Sequence, residues 1–279
     1  MDFKLGIVLL MLLIGSLAAP KPEQDMSIFF DQVDPTARIV GGTVANPSRH
    51  RHMVALSNGG LVRTFVCGGS LISGRTVLTA AHCIAAVFSG GVLSSNVRVI
   101  LGTMHWNLGG TMYTVERNVT HTNYVSSTIK NDIGLLITTV DVQLSDEVVL
   151  LPLNYDFQAG DVQSRVAGWG RIAQGGALSA VLLELDVSTI DGERCIADVQ
   201  AAGEQWHMFP PPVEPHIEIC TYHSPGFGAC NGDSGSALVR IDIHEQIGIV
   251  SWGFACARGA PDMFVRVSAY RDWLLQNTV

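Results

Sequence analysis

Six cysteines, Cys67, Cys83, Cys195, Cys220, Cys230 and Cys256, set the narrowest limit on what this chain of 279 residues can become. Their meaning depends on compartment, and the N-terminus supplies it. Met1-Asp2-Phe3-Lys4 precedes an apolar run from Leu5 to Leu17, too short to cross a bilayer, which ends in Ser16-Leu17-Ala18-Ala19-Pro20. Small residues at 16 and 18 suit signal-peptidase cleavage after Ala18, so residues 1–18 read as a signal peptide and the rest as a secreted, extracellular protein. An even set of six cysteines in an oxidising compartment predicts three disulfides, and the spacing leaves their pairing open. Neither C-x-x-C nor H-E-x-x-H occurs, and His50-Arg51-His52 reads as an ordinary exposed loop, so no metal site is expected.

Charged residues make up 15% of the chain, with 25 acids against 17 bases, which leaves no basic footprint for nucleic acid. No second stretch approaches membrane-spanning length, so no membrane partner is expected. Residues 19–38 are acidic, contain proline and lack any period, as befits a short pro-segment. From Ile39 the texture changes. Runs rich in Val, Ile, Leu and Thr, among them Val77-Leu78-Thr79, Val97 to Leu101, Met112 to Val119, Val181 to Ile190 and Gln246 to Trp252, alternate with Gly and Asn turns. Short strands at this spacing predict an all-β sandwich or barrel. Only residues 268–277 read as a helix, with Ser268 as N-cap and Tyr270, Trp273 and Leu274 on one face. Arg38-Ile39-Val40-Gly41-Gly42 places a basic cleavage point before a flexible glycine pair and reads as an activation site. The portion from Ile39 onward keeps 14 bases, of which Lys130 alone is a lysine.

Three distant segments each hold one group that a covalent hydrolase needs: Thr79-Ala80-Ala81-His82-Cys83, Asn131-Asp132-Ile133-Gly134-Leu135-Leu136 and Gly232-Asp233-Ser234-Gly235-Ser236. A serine hydroxyl is a weak nucleophile at neutral pH and needs a base to take its proton. An imidazole titrating near about 6.5 suits that role, and a carboxylate can fix its tautomer and stabilise the imidazolium. Taken singly, each residue has a structural reading; together, in this order, His82, Asp132 and Ser234 point to a catalytic relay.

These segments, with Cys67-Gly68-Gly69-Ser70-Leu71-Ile72, Gly168-Trp169-Gly170 and Ser251-Trp252-Gly253, make the chain from Ile39 to Val279 resemble the chymotrypsin/trypsin family of serine endopeptidases. Gly-Asp-Ser-Gly is followed here by Ser236-Ala237, where that family usually has Gly-Pro. The resemblance implies two packed six-stranded antiparallel β-barrels, roughly residues 39–150 and 151–265, with a C-terminal helix, and no cofactor. It implies the pairings Cys67–Cys83, Cys195–Cys220 and Cys230–Cys256. It also implies an oxyanion hole from the N–H groups of Gly232 and Ser234, and a zymogen whose cleavage after Arg38 frees the Ile39 amine to pair with Asp233. The expected partners are protein or peptide substrates, a trypsin-like activating protease and protein inhibitors; a monomer is the expected state.

The primary specificity pocket would be built from Gly228, Ser251, Trp252, Gly253 and Asp262. Gly228 stands where an Asp confers trypsin-like choice, and Asp262 stands where the family usually has Gly. That combination resembles the broad-specificity collagenolytic proteases of crabs, which implies acceptance of large apolar residues and, through Asp262, of Arg or Lys, in a digestive role. Calcium is not expected, because Glu116 is the only acid from Arg98 to Arg117. Asn118-Val119-Thr120 is a glycosylation candidate near a strand end. Two rival readings are a secreted homologue that binds without cleaving, disfavoured because all three catalytic residues are present, and a cascade protease of narrow specificity, disfavoured because residues 19–38 hold no cysteine and no room for a further domain.

Overall fold

The computed structural model describes residues 39, 41–172, 176–254 and 256–279; the expected signal peptide, the expected pro-segment with Arg38, and Val40 lie outside the described residues. Short β-branched runs pair with their chain neighbours into antiparallel ladders, as local turn chemistry favours. After β1 (Thr43–Val44) come β2 (Met53–Asn58), β3 (Thr64–Leu71) and β4 (Thr76–Thr79), a small hairpin of β5 (Phe88–Ser89) and β6 (Val92–Leu93), then β7 (Arg98–Leu101), β8 (Thr111–Thr120) and β9 (Gly134–Thr138). The strands β2-β3-β4-β9-β8-β7 close into a barrel. A second set, β10 (Gln163–Gly168), β11 (Leu183–Ile190), β12 (Glu218–Tyr222), β13 (Ala237–Arg240), β14 (Glu245–Gly253) and β15 (Asp262–Arg266), runs in the order β11-β10-β13-β14-β15-β12 and closes through pairing of β12 with β11. The fold is thus two closed six-stranded antiparallel barrels. Closure removes sheet edges, and inward-pointing side chains fill the barrel interiors.

The division near residue 150 is crossed at both ends of the chain. Strand β1 pairs with β11 of the second barrel, and Ile39, fully buried, packs with Val166, Leu183, Leu238 and Phe264 there. Conversely, Val265, Val267, Tyr270 and Leu274 join the core of the first barrel beside Leu78 and Leu135. Each barrel is completed by residues from the far end of the sequence.

The helical content differs from the sequence reading in two ways. The C-terminal helix α3 spans Arg271–Asn277 behind a 3-10 turn, Val267–Tyr270, so Ser268 lies inside that turn and Tyr270 takes the N-cap position without a side-chain cap. Besides α1 (Ala81–Ala85), a 15-residue helix α2 spans Gly192–Trp206. Asp191 caps α2 by accepting the Arg194 N–H at 2.9 Å, and Cys195, Val199 and Ala202 form its buried stripe. All three expected disulfides are present: Cys67–Cys83, Cys195–Cys220 and Cys230–Cys256. The first spans 16 residues, and chain-entropy arguments give a bridge of that size about 3 kcal/mol. His50 and His52 are also not the exposed loop their spacing suggested, since they are 6% and 1% exposed.

Candidate active site

Helix α1 follows β4 directly and carries His82 on its first turn. The His82 ring Nδ1 lies 2.7 Å from Asp132 Oδ2, and the His82 backbone N–H donates to Asp132 Oδ1 at 2.8 Å. Asp132 is 1% exposed and accepts a third hydrogen bond, from Ser251 Oγ at 2.6 Å. Burial alone would raise its carboxyl pKa; the His82 charge, with hydrogen bonds from His82 and Ser251, outweighs it and holds the group below its usual value. An ionised, orientationally fixed carboxylate on Nδ1 leaves Nε2 as the ring nitrogen for proton transfer.

Ser251 reaches Asp132 because β14 bulges. Val250 faces Phe264 and Trp252 faces Met263, so Ser251 is the extra residue and its side chain turns toward the first barrel. The sequence reading placed Ser251 only on the substrate strand, and no sequence spacing signals this second contact. His82 also gathers with Cys67 and Cys83 within ligand distance, but both sulfurs belong to a disulfide.

Ser234 lies on a tight loop between the barrels. Its carbonyl accepts the Gly68 N–H at 2.8 Å, and the next residue, Gly235, donates to Val250 O at 2.8 Å. Gly235 has φ +80°, and a Cβ there would sit 2.5 Å from Gly68 O, so only glycine fits. The departure at Ser236 has a steric explanation: its hydroxyl occupies the space that Gly68 leaves open, where an added Cβ would stand 2.0 Å away. Gly232, at φ +98°, turns the backbone ahead of Asp233.

Asp233 is fully buried and accepts N–H groups from Gly170 and Cys230, each at 2.9 Å. Burial pushes its carboxyl up to about 7, and the two backbone donors only moderate that rise. Ser234 shares a cavity with Ala229, Cys230, Asn231, Val250, Ser251, Trp252, Gly253, Cys256 and Asp262. Gly228 stands behind its wall: a Cβ there would meet Asp262 Oδ2 at 2.7 Å, and one at Gly253 would meet Asp262 Oδ1 at 3.2 Å. Oδ2 accepts the Ala229 N–H at 2.8 Å. Burial first, and the charge of Asp233 second, push the Asp262 carboxyl up to about 7 against that hydrogen bond.

Of the remaining expected residues, Asn118 sits on β8, half-buried, with its amide donating to Thr120 Oγ1 at 3.2 Å. Glu116 is ion-paired with Arg75. One residue was missed altogether. Glu218, on β12 behind the cavity, accepts Lys130 Nζ at 2.7 Å and the indole N–H of Trp252 at 2.8 Å. The signal was a lone charge opening the apolar run Glu218-Ile219-Cys220-Thr221-Tyr222, answered by the single lysine after residue 38.

A family model described as Trypsin matches residues 39–274. Chymotrypsin-2 of Vespa crabro is 35% identical over 241 residues, covering 86% of this chain and 99% of that protein. Trypsin alpha-4 of Lucilia cuprina is 30% identical over 270 residues, 96% of each. Trypsin delta of Drosophila melanogaster is 29% identical over 242 residues, 86% of this chain and 88% of that protein. Relatives of both names match, so the names do not choose between basic and apolar specificity.

Proposed function

Because this chain belongs to the trypsin family of serine endopeptidases, we propose that Ser234 is its nucleophile and that His82 and Asp132 activate it. The observation that carries this reading is the paired His82 and Asp132 beside a cavity with Ser234 on its wall. His82 Nε2 takes the Ser234 proton as Oγ attacks the carbonyl, then returns it to the leaving amine; Asp132 holds the tautomer and stabilises the imidazolium. The N–H groups of Gly232 and Ser234 receive the oxyanion, and losing one such donor raises the barrier by about 3 to 4 kcal/mol.

Activation follows from the burial of Asp233. Cleavage after Arg38 creates an Ile39 amine, and pairing with that cation relieves the desolvated carboxylate and sets the Gly232–Ser234 loop. The cleaved enzyme takes protein or peptide substrates, pairing their backbone with Ser251-Trp252-Gly253 as an added strand. With no side chain at Gly253 on the cavity wall or at Gly228 behind Asp262, large apolar residues enter; the Asp262 carboxyl adds affinity for Arg and Lys. This is the pattern of the broad-specificity collagenolytic crab proteases, and it fits a secreted digestive enzyme made as a zymogen. Among the described residues no helix is long and apolar enough to cross a membrane.

The test is cleavage-site profiling of the chain cut after Arg38 against a peptide library, with Ser234→Ala alongside. Cleavage after Phe, Tyr, Leu, Arg and Lys that vanishes in Ser234→Ala is the expected result. Absence of cleavage by a correctly processed, folded sample would refute it and favour a binding role.

A further inference from the structure

Lys130 is 5% exposed, Glu218 4% and Trp252 4%, and together they form a closed polar cluster under the strand that takes the substrate backbone. Glu218 Oε1 accepts both Lys130 Nζ and Trp252 Nε1, while Oε2 accepts the Glu214 N–H at 2.7 Å. The Lys130 ammonium also stands 5.3 Å from the centre of the Trp252 ring. A buried ion pair is a poor source of stability, since desolvating both ions offsets most of their attraction. Its worth lies in direction: charged hydrogen bonds are short, strong and orientationally demanding.

Two things are oriented by it. The first is the Trp252 indole, whose N–H would otherwise be a buried donor with its acceptor removed. The second is the turn that delivers Asp132. Ile129 and Asn131 flank Lys130 at φ +53° and +54°, a left-handed conformation that a β-branched residue such as Ile rarely adopts. Such backbone persists only where surrounding contacts enforce it. Here the backbone bridge from Lys130 to Val125, the Tyr270 hydroxyl on Asn131 Oδ1 and the Lys130–Glu218 pair enforce it. Two residues on, Asp132 is joined to Ser251, the neighbour of Trp252. The same turn of the first barrel is therefore tied to adjacent residues of β14 by two routes: directly through the Asp132–Ser251 bond, and indirectly from Lys130 through Glu218 on β12 to the Trp252 indole.

We propose that Lys130 and Glu218 are positioning residues that hold the substrate-binding strand at Trp252 in register with the His82–Asp132 pair. This rests on the catalytic reading above. It predicts that loss of the pair harms substrates that lie along the strand more than those that occupy only the pocket. A general loss of folding would affect both alike.

The cleaved enzyme, with active sites counted by a fluorophosphonate, is assayed on an N-acetyl-Phe amide and on a tetrapeptide amide ending in the same Phe. Lys130→Met is expected to lower kcat/KM on the tetrapeptide by about tenfold or more, mainly through KM, and on the short amide by much less. Should Lys130→Met not fold, Glu218→Gln, which keeps size and an acceptor for the indole, carries the same comparison. Equal losses on the two substrates, or none, would overturn the proposal. A readout free of catalysis is the Trp252 indole N–H resonance in tryptophan-labelled Ser234→Ala protein, assigned by Trp252→Phe. It is expected to move on Lys130→Met, and an indole signal indifferent to Lys130 would overturn the proposal. A responsive indole in a chain that cleaves neither substrate would instead support the positioning role while refuting the catalytic reading on which its consequence depends.

Discussion

If Asp262 selects basic residues as proposed, lowering the pH should abolish cleavage after arginine before cleavage after phenylalanine. Burial, with the neighbouring Asp233 charge, disfavours the ionised Asp262 carboxyl and pushes it up to about 7. In the cleaved enzyme the Ile39 amine would cancel part of the Asp233 contribution, moving this transition below about 7 and leaving burial as its cause. Only ionised Asp262 attracts a guanidinium, whereas a phenyl ring is indifferent to it. Taking the ratio of kcat/KM for matched Arg and Phe substrates cancels any pH dependence common to both. That ratio should fall about tenfold for each pH unit below the Asp262 transition and flatten above it. Asp262→Asn should give a low, pH-independent ratio while retaining Phe cleavage. The assay is initial rates on two peptides differing only at the residue before the cut, from pH 5 to about pH 8.5. A ratio constant over that range, or unchanged by Asp262→Asn, would mean the carboxyl never meets the substrate side chain.

Asp233 and the buried histidines give further tests. In the uncleaved chain, raising the Asp233 carboxyl from 3.8 to about 7 costs about 4 kcal/mol of folding stability at neutral pH, so that chain should lose stability as pH rises across this interval. Cleavage after Arg38 should reverse that loss; pairing raises the Ile39 amine above its free value of about 8, so activity falls as pH rises through the raised value. Ile39→Gly or acetylation of the Ile39 amine should abolish activity at pH 8, and full activity in either would refute the switch. His50 and His52 are both held below their ordinary pKa chiefly by burial, and neither ring nitrogen of His52 has a hydrogen-bond partner. Their stabilisation is complete above about 6.5, the unfolded value, and is lost as pH falls toward the folded values, at up to about 1.4 kcal/mol per pH unit for each. Thermal melts should show Tm falling on acidification from pH 7 to 5, with a shallower decline in His52→Phe; parallel profiles would refute the assignment.

The barrels and the segments of the candidate site were legible because their determinants are local. Runs such as Val97 to Leu101 carry strand propensity in themselves, and the Gly232-Asp233-Ser234-Gly235 turn needs its glycines wherever it occurs. The rest depends on partners distant in sequence. Helix α2 was passed over because Gly192 and Gly203 weaken its helical signature and His207 ends it in place of a glycine, although Asp191 and the spacing of Cys195, Val199 and Ala202 announced it. Ser268 has the chemistry of a cap, yet the chain enters α3 through a 3-10 turn, which leaves Tyr270 in that position. His50 and His52 look like loop residues until β11 supplies Glu184, which His50 Nε2 meets at 2.6 Å. Lys130 and Glu218 are ordinary surface residues by type; only barrel closure buries them together.

The exchange of ends between the barrels has a consequence for biosynthesis. A ribosome delivers Ile39 and β1 early, but β11, on which β1 docks, emerges much later, and the first barrel waits for Tyr270 and Leu274 until the last turn of chain is out. The first barrel can therefore not finish during translation. It carries unfilled apolar ground until release, which is the interval in which such chains aggregate or recruit chaperones. Fragments divided near residue 150 should each be incomplete alone and complement one another when mixed, because each holds the other's missing piece of core.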